Sequence, residues 1–352
     1  MQPPDLELPQ LCARLRGALR PGMQLRLRGS GTKDFYGEAL AGEVFELGAH
    51  RGILAYEPEE LVLTARCGTP LSQLEAALAA AGQFLPFEPP RFGADPTLGG
   101  IVASGLAGPR RPYAGGVRDF VLGARLVNAQ GEVMRFGGQV MKNVAGFDVA
   151  RLLCGSLGVL GLISDVSLKV LPRPPAEETR ALELSAPEAL QAFNRWAALG
   201  LPLSAAAWSA GIARVRLSGS EPAVEAARTR LGGEALTPQA ATAWWAALRD
   251  AAHPSLAGDT LWRVSMPPTA PLWPGCVLLD WGGALRWYRE DADGNLRARA
   301  TKADGQAQCW RGGVGGSRLH PLPAATLALH RRLKERFDPQ GVFNPGRLIA
   351  GL

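Results

Sequence analysis

Three glycine-rich segments, each set against a short apolar run, constrain this chain more than any other feature. The first follows a strand signal. Met23, Leu25 and Leu27 alternate with Gln24, Arg26 and Arg28, and the chain then enters Gly29-Ser30-Gly31-Thr32-Lys33. Two glycines after a strand let backbone N–H groups turn inward together, which makes a concavity for an anion. The second is Pro96-Thr97-Leu98-Gly99-Gly100-Ile101-Val102-Ala103-Ser104-Gly105, continuing to Gly115-Gly116-Val117-Arg118-Asp119. Its small residues let a ligand approach the backbone closely, and Arg110, Arg111 and Arg118 are near enough in sequence to offset negative charge. The third is Lys142-Asn143-Val144-Ala145-Gly146-Phe147-Asp148, followed by Gly155-Ser156-Leu157-Gly158-Val159-Leu160-Gly161. No segment opens a helix with the dinucleotide fingerprint, and no Gly-Lys-Ser/Thr of a P-loop occurs. One such loop alone reads as an ordinary hairpin; three together are far more specific.

Around these loops the pattern predicts a helix at 9–19, two short strands in ILAYEP and LVLTARCGTP, and a helix in LSQLEAALAAAG opened by Pro70 and closed by Gly82. Residues 84–123 read as a long loop without periodicity, which points to function. A hairpin with its turn at Ala129-Gln130-Gly131 follows, then a short helix and the strand Leu162 to Leu171. Pro172, Pro174 and Pro175 mark a domain boundary. Beyond it a β-α-β-α alternation and four weaker strands predict an α+β domain with a mixed or antiparallel sheet. A helix in AATLALHRRLKERFDP and the tail QGVFNPGRLIAGL end the chain. The expected units are 1–175, 176–325 and a returning segment 326–352.

The net charge of +6, carried almost wholly by Arg, suits an anionic cofactor, an acidic substrate or an acidic partner. Nucleic acid is not expected, since no basic run is interleaved with aromatics. Cys12, Cys67, Cys154, Cys276 and Cys309 are scattered, with no CxxC, so neither a disulfide framework nor a metal or cluster site is expected. No signal peptide is evident and no apolar run reaches the ~20 residues of a membrane span. A cytoplasmic protein is expected, peripheral at the inner membrane face only through partners.

The strings TLGGIVASG, VRDFVLGARLV, KNVAGFDVARLLCGSLGVLGLI and RFDPQGVFNPGR resemble the FAD-binding domain of the vanillyl-alcohol oxidase and p-cresol methylhydroxylase (PCMH) family. Within it the chain is similar to the FAD-linked oxidases of glycolate and D-lactate, above all to the FAD-binding subunit of multi-subunit glycolate oxidases. The resemblance covers roughly 20–175 and 330–350. It implies a PCMH-type FAD domain, a smaller α+β cap domain and a C-terminal segment returning to the first. It implies that Arg28, Gly29, Ser30, Gly31, Thr32 and Lys33 cradle the pyrophosphate, with Pro96, Thr97, Leu98, Gly99, Gly100, Ala103, Ser104 and Gly105 opposite. Asp95, Thr97 and Ser104 become polar contacts, Arg118 a charge partner, and Gly158, Gly161 and Ile163 backbone contacts near the adenosine or pyrophosphate. Asn344 and Gly346 fall where the family's tail folds back on the flavin. Members with covalent flavin carry a histidine after the glycines of the first loop. Thr32 stands there, so the FAD is expected to be non-covalent.

The expected reaction is oxidation of a small 2-hydroxy acid, glycolate to glyoxylate, with electrons passing to a larger FAD-linked oxidase subunit and an iron–sulfur subunit. The paired histidines that larger family members carry are missing; only His50, His253, His320 and His330 are present. His253 or His320 would then have to act as base, and Arg263 or Arg286 would clamp the carboxylate bidentately. A self-sufficient D-2-hydroxy-acid (D-lactate) dehydrogenase and a non-catalytic FAD-containing relay subunit are the alternatives. The tryptophans Trp273, Trp281, Trp287 and Trp310 are expected in the core of the second domain.

Overall fold

A computed structural model describes residues 5–93, 95–138, 148–289, 294–313 and 316–352. The sequence Lys142 to Phe147, read above as part of the third loop, lies outside them.

The first unit is built on an antiparallel five-stranded sheet in the order Ile53–Glu57, Val62–Arg66, Leu162–Lys169, Val121–Val127, Val133–Gly137. Leu162–Lys169 is central and buried along nearly its whole length, so it does not alternate. Its polar members are paired: Arg125 Nε donates to Asp165 at 2.7 Å, and the Thr64 and Ser167 hydroxyls bond at 2.8 Å. The helix Leu71–Ala80 turns Leu71, Leu74 and Leu78 into this core, at the i, i+3, i+7 spacing of one helical face. Each buried leucine contributes about 1.5–3 kcal/mol. A parallel pair, Leu25–Arg28 with Glu43–Glu46, lies beside the sheet under the helix Leu8–Ala18. In the hairpin turn, Asn128 Oδ1 accepts from the N–H groups of Gln130 and Glu132, and Gly131 takes φ 74°.

Eight strands form the second sheet, in the order Glu234–Ala235, Ala176–Glu183, Ile212–Gly219, Leu203–Ser209, Cys276–Asp280, Leu285–Tyr288, Leu261–Ser265, Gln306–Arg311. Every neighbouring pair is antiparallel. Trp281, Trp287 and Trp310 are buried in it.

A charged cluster ties the units together. Arg110 bonds Glu177 at 2.6 Å and Arg216 bonds Glu88 at 2.7 Å, with both arginines buried. Trp281 Nε1 adds a bond to the Gly108 carbonyl at 3.0 Å. The C-terminal helix Ala324–Phe337 returns to the first unit through Lys334. Its Nζ donates to the Val159 and Phe343 carbonyls at 2.8 and 2.9 Å and pairs with Asp338 at 2.6 Å. The tail then lies along Leu25, with Leu25 N donating to Val342 O at 2.7 Å and Asn344 N to Leu25 O at 2.8 Å.

Three elements depart from the sequence expectation. The stretch 84–123 is not a structureless loop: Leu98–Ser104 is a helix that buries Leu98, Ile101 and Val102, capped by Thr97 Oγ1 accepting from Gly100 N. Leu203–Ser209, with three alanines, is a strand buried on both faces. Pro238–Arg249 is a further helix, capped by Thr237. In the first two, tertiary burial overrides weak local propensity, whereas Pro238–Arg249 has the alanines, first-turn proline and Thr cap of a good helix.

Candidate functional site

The strand Leu25–Arg28 delivers the first glycine loop to the mouth of a cleft. Arg28, Gly29, Ser30, Gly31, Thr32 and Lys33 form one wall; Thr97, Gly99, Gly100, Ala103 and Ser104 form the facing one. Gly158, Gly161, Ile163 and Asn344 line it as well. The walls nearly touch. A Cβ added at Gly29 would stand 2.2 Å from Thr97 Oγ1, so only glycine fits.

Other expected residues lie elsewhere. Asp95 caps the helix Leu71–Ala80, its Oδ1 accepting from Ser72 N at 3.1 Å. Leu98 is in the core, and Pro96 gives its carbonyl to Leu71 N at 2.8 Å. Gly105 closes its helix at φ 63°, and Arg118 lines a separate surface hollow beside His330 and Lys334.

Sequence reasoning missed Arg26, Asp34, Cys67, Leu157 and Arg347 in the cleft wall. Arg347 is the most informative, because it is buried and donates to the backbone carbonyls of Lys33, Asp34, Tyr36 and Glu38. It therefore holds the loop's shape. Its signal was the string NPGR, read for Asn344 alone. Asn344 bridges the walls: Oδ1 accepts from Leu27 N at 2.7 Å, and Nδ2 donates to Leu157 O at 2.6 Å.

The electrostatics suit an anion. Burial brings the Lys33 ammonium down to about 8, against a rise caused by Asp250, and no carboxylate contacts it among the described residues. Arg28 Nη1 donates to Glu46 at 3.3 Å, and its Nε, 3.5 Å from Asp34, makes no hydrogen bond. The Lys33 ammonium beside a glycine cradle matches a pyrophosphate. These residues fit FAD.

None of the four histidines lines the cleft. His50 Nδ1 contacts Leu6 O, and His330 Nδ1 contacts Thr326 O. His320 Nδ1 accepts from Ala307 N at 3.2 Å. His253 Nδ1 accepts from Ser255 N at 3.2 Å, its ring packing on Trp244 beyond the second sheet. Arg286 is wholly buried, and its nitrogens donate to the carbonyls of Gly283, Ala270 and Pro271. That leaves it a structural tie rather than a free carboxylate clamp. Arg263 differs: its guanidinium packs over Trp281 at 4.9 Å and Trp310 at 5.8 Å, and no carboxylate pairs with it among the described residues.

Among the described residues no group of His, Cys, Asp and Glu could hold a metal, and no helix is long and apolar enough to cross a membrane.

Known proteins agree with this geometry. The family described as FAD binding domain matches residues 8–137. The glycolate oxidase subunit GlcE of Escherichia coli is 47% identical over 347 residues, which cover 97% of each chain. The glycolate oxidase subunit GlcD of Bacillus subtilis is 34% identical over 43% of this chain and 33% of its own. A D-lactate dehydrogenase of Archaeoglobus fulgidus is 30% identical over 47% of this chain and 37% of its own. Among solved structures, alkyldihydroxyacetonephosphate synthase superposes with a TM-score of 0.65 at 15% identity, over 96% of this chain and 74% of that one. The shared fold is thus the PCMH-type FAD-binding fold, and FAD is the cofactor. The chain belongs to the family of FAD-dependent oxidoreductases that includes the glycolate oxidase subunit GlcE.

Proposed function

We propose that this chain is the FAD-binding subunit of a glycolate oxidase complex, oxidising glycolate to glyoxylate. The full-length likeness to GlcE, 47% identity across 97% of both chains, carries the reading. The functional units are taken as an FAD domain at 1–175, a cap at 176–325 and the returning segment 326–352. FAD supplies the two-electron acceptor when bound. Gly29 and Gly31 would give its pyrophosphate backbone N–H groups, Gly99 and Gly100 would leave room for it by their lack of side chains, and Arg28 and Lys33 would give it charge. Thr32 supports a non-covalent bond to the protein, since a hydroxyl is a poor nucleophile compared with an imidazole. Partners would be a larger FAD-linked oxidase subunit and an iron–sulfur subunit, with any membrane contact made through them from the cytoplasm.

A second reading has support in the placement of the histidines: the flavin of this subunit relays electrons and another flavin oxidises the acid. Co-purifying the complex, adding glycolate or D-lactate without oxygen and counting reduced flavins separates the two. Rapid reduction of this chain's flavin in the absence of its partners supports direct oxidation. Reduction only when partners are present supports the relay.

A further inference from the structure

Beside the cofactor cleft, on the far side of one loop, the surface carries a hollow with an apolar floor and a cationic rim. Val159, Leu160, Leu333 and Leu348 form the floor, and Arg118 and Arg151 stand at its edge. The loop 155–161 serves both sides. Ser156, Val159 and Leu160 line the hollow, whereas Leu157, Gly158 and Gly161 line the cleft. One layer of backbone therefore separates the two.

The helix Ala324–Phe337 extends this surface outward. Its Leu333 reaches the hollow, and Lys334 fixes the helix to the loop through the Val159 carbonyl at 2.8 Å. Leu329 stands one turn before Leu333, Arg336 three residues after Leu333, and Arg332 three after Leu329, so the four share one side of the helix. Leu329, Arg332 and Arg336 are exposed, and at 55% Leu329 is the most exposed large apolar side chain among the described residues. Leu152, next to Arg151 at the rim, is exposed as well.

Positive charge here exceeds its balance. Arg118, Arg332 and Arg336 make no ion pair among the described residues. Arg151 pairs with Asp148 at 3.0 Å, and Asp119 Oδ2 accepts from the Gly116 N–H at 2.8 Å. Arginines at the junction of the two units are instead neutralised, Arg110 by Glu177 and Arg216 by Glu88. Exposed leucines ringed by unpaired guanidiniums have the make-up of a protein contact, apolar at the centre and rich in Arg.

We propose that the hollow and the Leu329 side of the terminal helix form the docking surface for an acidic protein subunit. That subunit sets an apolar side chain on the floor and carboxylates against Arg118, Arg332 and Arg336. The inference rests on the reading of this chain as one subunit of a complex, and adds the face of contact. Charge selects the occupant, because a second copy of this chain packed face to face would set arginine against arginine. Position agrees with it. A subunit that exchanges electrons with the flavin has to stand near the cofactor, and this face is one layer of backbone from the cleft.

Photo-crosslinking in the complex, purified through a tag on this chain, tests the face directly. A benzophenone amino acid in place of Leu329 or Leu152 is expected to crosslink to a second subunit; in place of Leu199, exposed on the second unit, it is not. Arg332→Glu combined with Arg336→Glu is expected to lower recovery of the second subunit by roughly tenfold or more. Rising salt should weaken recovery by the parent in the same direction. Flavin content and thermal unfolding of the double variant should match the parent, because both side chains stand in solvent. Undiminished recovery, or crosslinks from position 199 alone, would overturn the docking face and leave the subunit reading standing. A chain that purifies alone would overturn both. Binding of the free chain to phosphatidylglycerol vesicles, lost in the double variant while the complex stays whole, would replace the acidic subunit with a lipid surface and overturn the proposal.

Discussion

Asp280 carries its carboxyl group where water cannot reach it, and the consequence is measurable in stability. Its folded value of about 7 lies above the 3.8 of an exposed aspartate, so the folded chain holds a proton that the unfolded chain releases. The stabilising contribution is therefore fully present below about pH 4 and is lost as pH rises to about 7. Asp280→Asn keeps the shape and cannot ionise. The variant's stability relative to the parent should rise between pH 4 and pH 8 by as much as ~4 kcal/mol. Urea unfolding of the flavin-free chain at several pH values measures this, and a difference that stays flat with pH would contradict it. Gly29 offers a second test at this scale. Its missing Cβ is all that separates the loop from Thr97. Gly29→Ala should lower FAD affinity by about tenfold or more and destabilise the fold by ~1–3 kcal/mol. Fluorescence titration with FAD checks the first effect, and unchanged affinity would remove the loop from the site.

Among the elements, the C-terminal tail governs the cleft from outside its walls. Asn344→Ala would leave the Leu27 N–H and the Leu157 carbonyl without their partners, at a cost of roughly 2–4 kcal/mol. Arg347→Ala would free four carbonyls of the segment 33–38, so FAD should dissociate faster even where the fold survives. Stopped-flow displacement of FAD from Arg347→Ala is the check, and a parental dissociation rate would contradict it. These links explain what the sequence made legible. Alternation at Met23 to Arg28 and the helical spacing of Leu71, Leu74 and Leu78 are local patterns, and both elements are present. Gly99 and Gly100 hid the helix Leu98–Ser104, because their low helical propensity masked the i, i+3, i+4 face of Leu98, Ile101 and Val102. The alanines of Leu203–Ser209 likewise hid a strand that exists because both its faces are covered. The cleft's small residues could be read one by one. The hold of Arg347 on the loop could not, because it joins residues far apart in the chain.

At the scale of the whole molecule, an FAD-binding unit and a broad antiparallel sheet meet along a charged junction, and the tail returns to fasten the cofactor wall. The family relation makes the chain an FAD-dependent oxidoreductase. The central claim is that FAD sits in the cleft between the loop 28–33 and the segment 97–104 without a covalent bond. It is tested most directly by reconstituting the purified chain with FAD, removing excess, precipitating the protein with acid and recording flavin absorbance in both fractions. The account predicts flavin stoichiometric with the chain, recovered wholly in the supernatant and greatly reduced for Gly29→Ala. A colourless protein, or flavin that stays with the precipitate, would contradict it.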